Sequence, residues 1–287
     1  MTLLPAEILS PAHPRVKAVA SLNQKKAREE QKTLLVEGRF PIEEAIRAGC
    51  RVTALYRLTE SPLPEALAAG TSVFTVSEAA MRKMATTESP PPCLATVETP
   101  PTASLEALPV GDVLLLALDE IRDPGNAGTL IRSAAAFGVQ ALILTPRTVD
   151  CYSPKVIRAS AGLAFRLPIH LAPSLEALAA TLAVRKASLL LTRGQDAPNA
   201  MNEATPTAHY RDASYRGCVA IALGNEGRGI LQGEASDGAL LSGAQWIRIP
   251  MAADVDSLNV AVCGSILMAE AAYQRATKTH SPERASE

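Results

Sequence analysis

Residues 119–138, DEIRDPGNAGTLIRSAAAFG, concentrate side chains that could do chemistry. An apolar run at 113–118 precedes them and a second run at 140–144 follows, so the pattern predicts a strand, a polar loop, a helix and another strand. In open α/β sheets, ligands bind just beyond the carboxyl ends of the strands. We therefore interpret this stretch as a ligand-binding loop rather than a simple helix cap. The polar side chains that crowd it are those of Asp119, Glu120, Arg122, Asp123 and Asn126.

A second pattern, CVAIALGNEGRGI at residues 218–230, places three glycines after an apolar strand, with Glu226 between the first two of them. The order is G-x-x-G-x-G, which is not the fingerprint of dinucleotide-binding proteins. Glycines at a strand end let the backbone approach a ligand closely. A tight turn followed by the start of a helix is the alternative interpretation of the same residues.

A third pattern, residues 247–273, ends a strand at Pro250 and opens a helix near Ser257-Leu-Asn259. Ser257 is the predicted N-cap of that helix, because a serine hydroxyl accepts a hydrogen bond from the first helical turn. Capping explains Asn259 less easily, since it lies two residues later. We therefore interpret Asn259 as a candidate functional residue.

The elements that must position these loops alternate between helix and strand, which predicts an α/β protein with two domains. A small α/β domain at 1–99 is followed by a proline-containing linker at 100–112, a second domain at 113–276 and a frayed tail at 277–287. In the first domain we predict strands at 34–36, 52–58, 73–76 and 94–97, and helices at 40–48, 64–69 and 78–84. In the second we predict helices from 154 to Gly162, at 175–184 and at 260–276, strands at 167–171, 188–192, 218–223 and 246–249, and a loop at 195–216.

Composition excludes several classes of protein. Hydrophobic residues make up 47% and aromatic residues 3% of the 287, so the core is aliphatic and nucleic acid is not held mainly by aromatic stacking. A net charge of -1 argues against a protein that coats long stretches of nucleic acid. The five scattered cysteines favour a reduced, cytoplasmic protein over a zinc site or a disulfide framework. Neither a leader peptide, nor a membrane-spanning run, nor metal-ligand spacing is expected from the sequence.

The stretch 11–32 is locally basic, and Val16, Val19, Ala20 and Leu22 give it a helical apolar stripe. Its basic side chains have two interpretations, a solvated helix face or a patch that faces phosphates. Taken alone, the stretch slightly favours the solvated face. The side chains in question are Arg15, Lys17, Lys25, Lys26, Arg28 and Lys32.

Together, the segments DPGNAGTLIRSAAAFG, ALGNEGRGI and IPMAADVDSLNVAV resemble the SpoU/TrmH family of SPOUT RNA methyltransferases. They occur in the family's order, each falls at a predicted strand end, and the resemblance covers nearly all of 113–276. The N-terminal segment, which includes LLVEGRFPIEEAIRAG, resembles less specifically the family's substrate-binding domain, which has a ribosomal-protein-like α/β fold.

The resemblance implies a ribose 2′-O-methyltransferase that uses S-adenosylmethionine. It further implies a parallel sheet with a C-terminal trefoil knot and a homodimer formed through the C-terminal domain. The backbone around Gly224, Ile249 and Leu258 would hold the adenosine moiety, with Thr192 and Gly194 at its border. The remaining implied cofactor contacts are Leu223, Asn225, Gly227, Met251 and Val260, and the predicted RNA contacts are Arg15, Lys17, Lys25, Lys26 and Arg28.

A ribose hydroxyl is a weak acid and a poor nucleophile, so methylating it requires alignment and help in removing one proton. Arg132 matches the family's essential arginine. Because a guanidinium remains charged, we favour electrostatic stabilisation of the forming alkoxide over proton abstraction by Arg132. The resemblance also implies that Asn126 and Asn259 orient Arg132 or the ribose, that Glu226 places the guanidinium or shapes the pocket, and that Ser257 supports the third loop.

We therefore predict a cytoplasmic enzyme that methylates a ribose in structured RNA. The separate N-terminal domain favours ribosomal RNA, including resistance-type modification of it, over tRNA as the substrate. The alternative from another class is a non-catalytic RNA-binding or assembly protein on the same scaffold. Titration with the cofactor separates this alternative from an enzyme.

Overall fold

A computed structural model of the chain describes residues 9–59, 61–64, 66–68, 70–193, 207–225, 229–230, 243–252, 254–255 and 257–277. Its α-helices are α1 (Pro14–Ser21), α2 (Lys25–Gln31), α3 (Arg39–Arg47), α4 (Glu78–Met84), α5 (Pro124–Ala136), α6 (Pro154–Ala159), α7 (Leu175–Val184) and α8 (Val260–Ala276). Its strands are β1 (Thr33–Glu37), β2 (Val52–Arg57), β3 (Ser72–Thr75), β4 (Cys93–Glu98), β5 (Ala103–Ser104), β6 (Leu114–Leu118), β7 (Ala141–Leu144), β8 (Ile169–Leu171), β9 (Ser188–Thr192), β10 (Thr207–His209), β11 (Val219–Leu223) and β12 (Gln245–Arg248). Short 3-10 helices lie at Leu105–Ala107 and Leu163–Arg166.

The chain divides into two compact units. The first consists of Met1–Pro101, Ala127–Arg132 and Asp150–Arg166, and the second consists of Thr102–Asn126, Ser133–Val149 and Leu167–Glu287. Among the helices described, none has both the length and the apolar character that crossing a membrane requires.

The first unit is built on a four-stranded mixed sheet in the order β1-β4-β2-β3. Strand β4 runs antiparallel to β1 and β2, whereas β3 is parallel to β2. Helix α1 buries the predicted apolar stripe, with Val16, Val19 and Leu22 packed in one cluster with Tyr56 and Met81. Removing these aliphatic and aromatic groups from water supplies the main driving force for folding of this unit.

Arg28 is an internal cation of the first unit, which corrects its prediction as an RNA contact. Only 5% of its surface is exposed, and its Nη2 atom lies 2.6 Å from a carboxylate oxygen of Asp150. Its Nη1 atom donates hydrogen bonds to the carbonyls of Leu22 and Asn23. Breaking a buried ion pair by removing one partner costs about 3–5 kcal/mol. Arg28 therefore stabilises the unit and is not available to a phosphate.

The second unit is built on an eight-stranded sheet in the order β10-β12-β9-β11-β6-β7-β8-β5. All of its strand pairs are parallel, which confirms the predicted parallel sheet. Its central strands, LLLAL in β6 and VAIAL in β11, are buried along their whole length. Continuous apolar runs of this kind are typical of parallel strands that are covered on both faces. Leu178 of α7 packs in one core cluster with Leu115, Ile143 and Leu191.

Three elements differ from the sequence prediction. Residues 61–64 and 66–68 contain no helix, although we predicted one at 64–69. Strand β5 forms inside the predicted linker and pairs with β8, and β10 forms inside the predicted loop and pairs with β12. Both strands contain only two or three residues at the edges of the sheet. Their pairing depends on the neighbouring strand more than on their own composition.

Candidate active site

The three sequence motifs meet at one edge of the second unit's sheet. They follow β6, β11 and β12, and in the sheet β11 lies directly beside β6 while β9 separates it from β12. Parallel strands end at the same edge, so the loops after them are neighbours. After β6 the chain continues to β7 on one side, whereas β9 and β11 are added on the other side. Such a reversal of strand order is where open α/β sheets bind their ligands.

Hydrogen bonds join the first two motif loops directly. The backbone amide of Asp119 donates to the carbonyl of Leu223 at 2.8 Å, and the side-chain amide of Asn225 donates to the carbonyl of Glu120 at 3.2 Å. The hydroxyl of Thr192, at the end of β9, donates to the carbonyl of Ala222 at 3.2 Å. The end of β11 is therefore hydrogen-bonded on both sides, and the loop after it is joined through Asn225 to the loop after β6.

Gly224 lies where the chain folds back onto itself. A Cβ atom at this position would lie only 2.4 Å from the carbonyl carbon of Gly229 and 2.4 Å from the backbone nitrogen of Ile230. The amide of Gly229 donates to the carbonyl of Asn225 at 2.8 Å and holds the returning chain in place. Only glycine permits this approach. Any ligand contact at Gly224 must therefore use its backbone.

Asn259, not Ser257, is the N-cap of α8, which corrects the sequence interpretation. Its Oδ1 atom accepts hydrogen bonds from the amides of Ala261 at 2.9 Å and Val262 at 3.3 Å. Its Nδ2 atom donates to Oδ1 of Asn126 at 3.0 Å. One side chain thus caps a helix and connects the third motif to the first. Ser257 is exposed in the loop that precedes the cap.

Asn126 lies in the first turn of α5, whose N-cap is Asp123. Ser133 lies seven residues after Asn126 and on the same face of α5. Its hydroxyl oxygen is 2.7 Å from that of Ser265 in α8. Arg132 is exposed and forms no hydrogen bond or ion pair with any residue that the structure describes. Six residues of helix rotate it by about 240° from Asn126, so it lies on another face of α5. The structure thus joins Asn126 to Asn259 and leaves Arg132 without a partner among the described residues.

The other predicted cofactor contacts fall into three groups. Leu223 and Val260 are buried, so their contribution is backbone or packing. Ile249 and Met251 are half-buried, and the side chain of Leu258 is 36% exposed. Partly exposed apolar side chains beside backbone donors and acceptors suit a nucleoside-bearing ligand, because such sites are mostly apolar with few polar groups. The predicted cofactor contacts Gly194 and Gly227 lie outside the described residues, as does Glu226, which was predicted as a catalytic residue.

Thr145, at the end of β7, makes a buried contact that no sequence motif indicated. The hydroxyl of Thr145 donates to Oδ1 of Asp119 at 2.6 Å and accepts from the amide of Glu120 at 3.3 Å. Burial raises the pKa of Asp119, and the hydrogen bond from Thr145 opposes that rise. The same strand-end rule that identified Asp119 applies to Thr145, because β7 ends beside β6 in the sheet.

Comparison with known proteins gives matches along most of the chain. Residues 113–269 match the SpoU rRNA Methylase family, and residues 13–95 match the MRM3-like substrate binding domain. A tRNA/rRNA methyltransferase of Synechocystis sp. is 32% identical over 284 residues and covers 94% of both chains. The 23S rRNA (guanosine(2553)-2′-O)-methyltransferase RlmP of Bacillus subtilis is 30% identical over 266 residues, which are 91% of this chain and 97% of that protein.

A solved structure shows the same architecture. The AdoMet-bound rRNA methyltransferase from Sinorhizobium meliloti superposes with a TM-score of 0.77 at 29% identity, covering 92% of this chain and 96% of that one. The family match spans more than half of the chain, and the relatives extend over nearly all of it. The chain therefore belongs to the SpoU rRNA methylase family.

Proposed function

We propose that this chain transfers a methyl group from S-adenosylmethionine to the 2′-hydroxyl of a ribose in ribosomal RNA. The observation that carries the proposal is the hydrogen bond between Asn126 and Asn259, which joins the first and third motif loops. The substrate is inferred from relatives, since RlmP of Bacillus subtilis is named for a guanosine of 23S rRNA. A ribosomal substrate also supports our proposal that the enzyme works in the cytoplasm.

The chain is an RNA ribose 2′-O-methyltransferase, and its cofactor is S-adenosylmethionine. The bound cofactor supplies an electrophilic methyl group on a positively charged sulfur. We assign its adenosine moiety to the backbone of Gly224 and the half-buried side chains of Ile249 and Met251. The close packing at Gly224 and the hydrogen bond from Asn225 to the carbonyl of Glu120 keep the backbone groups of this loop in fixed positions. Fixed donors and acceptors lose little entropy when a ligand binds.

We assign alignment of the ribose to the pair Asn126 and Asn259, and charge stabilisation to Arg132. Because Asn259 is held as a helix cap, it fixes the amide orientation of Asn126. The Arg132 guanidinium can hold an RNA phosphate and stabilise the alkoxide that forms as the hydroxyl loses its proton. Both roles need a side chain that faces solvent, and Arg132 is exposed.

For the N-terminal region we propose RNA contacts through Arg15, Lys17, Lys25 and Lys26, without Arg28. All four are exposed on α1 and α2, and the Arg15 guanidinium lies 4.3 Å from the centre of the Phe74 ring. Glutamate at Lys25 and Lys26 should weaken RNA binding and flatten its salt dependence, because fewer counterions are released. An unchanged affinity and salt slope would favour the solvated-face interpretation.

A homodimer through α8 and a trefoil knot also remain proposals. Helix α8 exposes Val262 and Tyr273, which lie eleven residues apart on one face, at 48% and 66% of their surface. Such an apolar face suits a second copy of this chain, and a scattering mass of one chain at micromolar concentration would contradict the dimer. The knot rests on the chain's membership of the SpoU rRNA methylase family.

The proposed function is tested by mapping ribose methylation across total RNA from cells that carry or lack the protein. We expect one 2′-O-methyl mark in ribosomal RNA to disappear with the protein and to be restored by the purified enzyme and cofactor. A missing mark in tRNA would move the substrate to tRNA. Unchanged RNA together with no heat of cofactor binding in calorimetry would leave a non-catalytic RNA-binding protein.

Replacing Asn259 separates its capping role from its contact with Asn126. Serine caps about as well as asparagine, whereas alanine costs about 0.5–2 kcal/mol of stability. A capping serine lacks the amide donor that reaches Asn126. We therefore expect Asn259→Ser to keep the wild-type melting temperature and to lose methyl transfer, and Asn259→Ala to lose both. Thermal denaturation and single-turnover rates measure the two effects, and a fully active serine variant would reduce Asn259 to a cap.

A further inference from the structure

Glu120 holds two arginines at the edge of the candidate active site. Nη2 of Arg122 lies 2.9 Å from one of its carboxylate oxygens, and Nη2 of Arg147 contacts the other oxygen. The side chain of Glu120 is 17% exposed, whereas those of Arg122 and Arg147 are 55% and 67% exposed. The mostly buried carboxylate of Glu120 therefore holds two guanidinium groups that are exposed to solvent. We call Arg122 and Arg147 the arginine fork.

Hydrogen bonds fix the backbone of the loops that carry the arginine fork. The amide of Glu120 donates to the hydroxyl of Thr145, and its carbonyl accepts from Asn225. The loop that carries Arg147 is tied to the loop that carries Glu120, because Thr148 donates its hydroxyl to the carbonyl of Leu118 at 2.9 Å. A further backbone bond joins the two loops at 2.8 Å, from Val149 to Ile121. Hydrogen bonds therefore hold the backbone of both loops that carry the arginine fork.

Glu120 and Arg147 also share an uncommon backbone conformation. Their φ angles are 54° and 70°, in the left-handed region that side chains other than glycine rarely adopt. Such conformations persist only where the surrounding structure over-determines them, and they cluster at functional sites. Here both members of one ion pair carry this cost.

The donors of the arginine fork match an anion. A guanidinium has five N–H donors, and each of these arginines uses one nitrogen for Glu120. Arg147 also interacts electrostatically with the carboxyl group of Asp119. No other hydrogen-bond or ion-pair partner of either side chain occurs among the described residues. The side chains of Glu120, Arg122 and Arg147 by themselves carry a net charge of about +1, with the Asp119 carboxyl group nearby, and planar guanidinium groups fit the oxygens of a phosphate.

The position of the arginine fork favours RNA over the cofactor as the source of this anion. The fork follows β6 and β7, whereas the cofactor is assigned to Gly224 after β11 and to Ile249 and Met251 after β12, so β7 is the strand farther from the cofactor loops. Both guanidinium groups are open to solvent, as contact with a large ligand requires. The backbone of structured RNA offers phosphates on either side of a reacting ribose.

We propose that the arginine fork binds a backbone phosphate of the substrate RNA, and that Glu120 is the positioning residue that sets its geometry. This inference rests on the proposed function, because it presumes an RNA substrate at this edge of the sheet. It adds three residues, Glu120, Arg122 and Arg147, to those that recognise the substrate.

The test measures RNA affinity against salt concentration by fluorescence anisotropy, with structured ribosomal RNA as the probe. The fork variant, Arg122→Ala with Arg147→Ala, should bind about tenfold more weakly, since hydrogen bonds to charged groups contribute at least that factor. Its salt slope should fall by about 0.7–0.9, the value for one phosphate. The matched control is Lys186→Ala with Arg216→Ala, which removes two exposed charges just before β9 and β11, at the opposite edge of the sheet. The control should bind RNA as the wild type does.

Glu120→Gln separates a positioned fork from simple charge attraction. Removing the carboxylate makes the surface more positive, so charge attraction alone would strengthen RNA binding, whereas loss of the set geometry weakens it. We expect weaker binding. Replacing both arginines with lysine keeps the charge without the planar fork, so it should restore the salt slope and not the affinity. Thermal denaturation confirms that each variant is folded.

Cofactor affinity, measured by calorimetry, should be unchanged in the fork variant. A parallel loss of cofactor affinity would overturn the assignment to RNA and place the cofactor carboxylate at the fork. A fork variant that binds RNA like the wild type, or a Glu120→Gln variant that binds it more tightly, would overturn the inference alone. Absence of methyl transfer by the wild-type chain would instead overturn the proposed function.

Discussion

Arg132→Ala is expected to fold normally, to bind S-adenosylmethionine with wild-type affinity and to lose methyl transfer. Arg132 is exposed and has no hydrogen bond or ion pair to any residue described, so its removal breaks no contact seen in the fold. Removing one preorganised donor for a developing oxyanion typically costs about 10²–10³ in rate. Loss of a phosphate contact would add to that decrease.

Single-turnover methyl transfer at saturating enzyme and cofactor separates the chemical step from binding. Arg132→Lys keeps the charge and loses the planar fork, so it should recover little activity. The matched control is Arg82→Ala, which removes an exposed helical arginine whose only described partner is Glu78, also exposed. Surface pairs of this kind contribute about 0–1 kcal/mol. An Arg132→Ala rate within about threefold of the wild type would fall far short of the expected loss and would contradict the mechanism.

Gly224→Ala is expected to destabilise the second unit and to impair both cofactor binding and catalysis. The added Cβ would meet the backbone of Gly229 and Ile230 at 2.4 Å, and backbone cannot rotate away as a side chain can. Overpacking of this kind costs about 1–3 kcal/mol. Displacing the glycine loop by about 1 Å is enough to lower a rate about 10²-fold.

Gly243→Ala is the matched control for this prediction. A Cβ at Gly243 would meet nothing within 4 Å, and its backbone is not in the left-handed region. The control should therefore melt, bind cofactor and methylate RNA as the wild type does. Melting temperature and calorimetric affinity measure both variants. If Gly224→Ala matched the control in both, the close return of the chain over Gly224 would not hold in solution.

Substitutions at Arg132 and Gly224 affect two different properties of the candidate site, its chemistry and its stability. Arg132 is a solvent-facing group whose loss should leave the fold intact, whereas Gly224 is a position where the fold itself permits no side chain. A variant that loses rate but not stability points to chemistry. A variant that loses stability together with affinity points to the scaffold that holds the cofactor.

Local physics allowed much of the fold to be predicted from the sequence. The continuous apolar runs of β6 and β11 are typical of parallel strands, and both are central strands of the sheet. Helix starts were also predictable. The hydroxyls of Ser77, Ser153 and Ser174 each accept a hydrogen bond from the backbone amide three residues later, in the first turn of the helix that follows. A cap hydrogen bond spans one turn, so its geometry is encoded in neighbouring residues.

The sequence alone located the three motif loops, because ligand sites of α/β proteins follow strand ends. It did not determine which of their side chains touch. Asn126 and Asn259 are 133 positions apart, and only the placement of β6, β11 and β12 in one sheet brings their loops together. That contact makes Asn259 both a helix cap and part of the candidate site.

Tertiary structure alone decided the roles of Arg28, Glu120 and Arg147. Arg28 lies in a basic stretch whose other charged side chains are exposed, yet it is buried against Asp150, which lies 122 residues away in sequence. Arg147 reaches Glu120 only because β7 ends beside β6. Charged side chains carry no periodic signal of burial or pairing, since both depend on which distant segment supplies the opposite charge. The sequence therefore determines the strands, caps and loop positions, and the assembled sheet determines which charges become structural and which face the substrate.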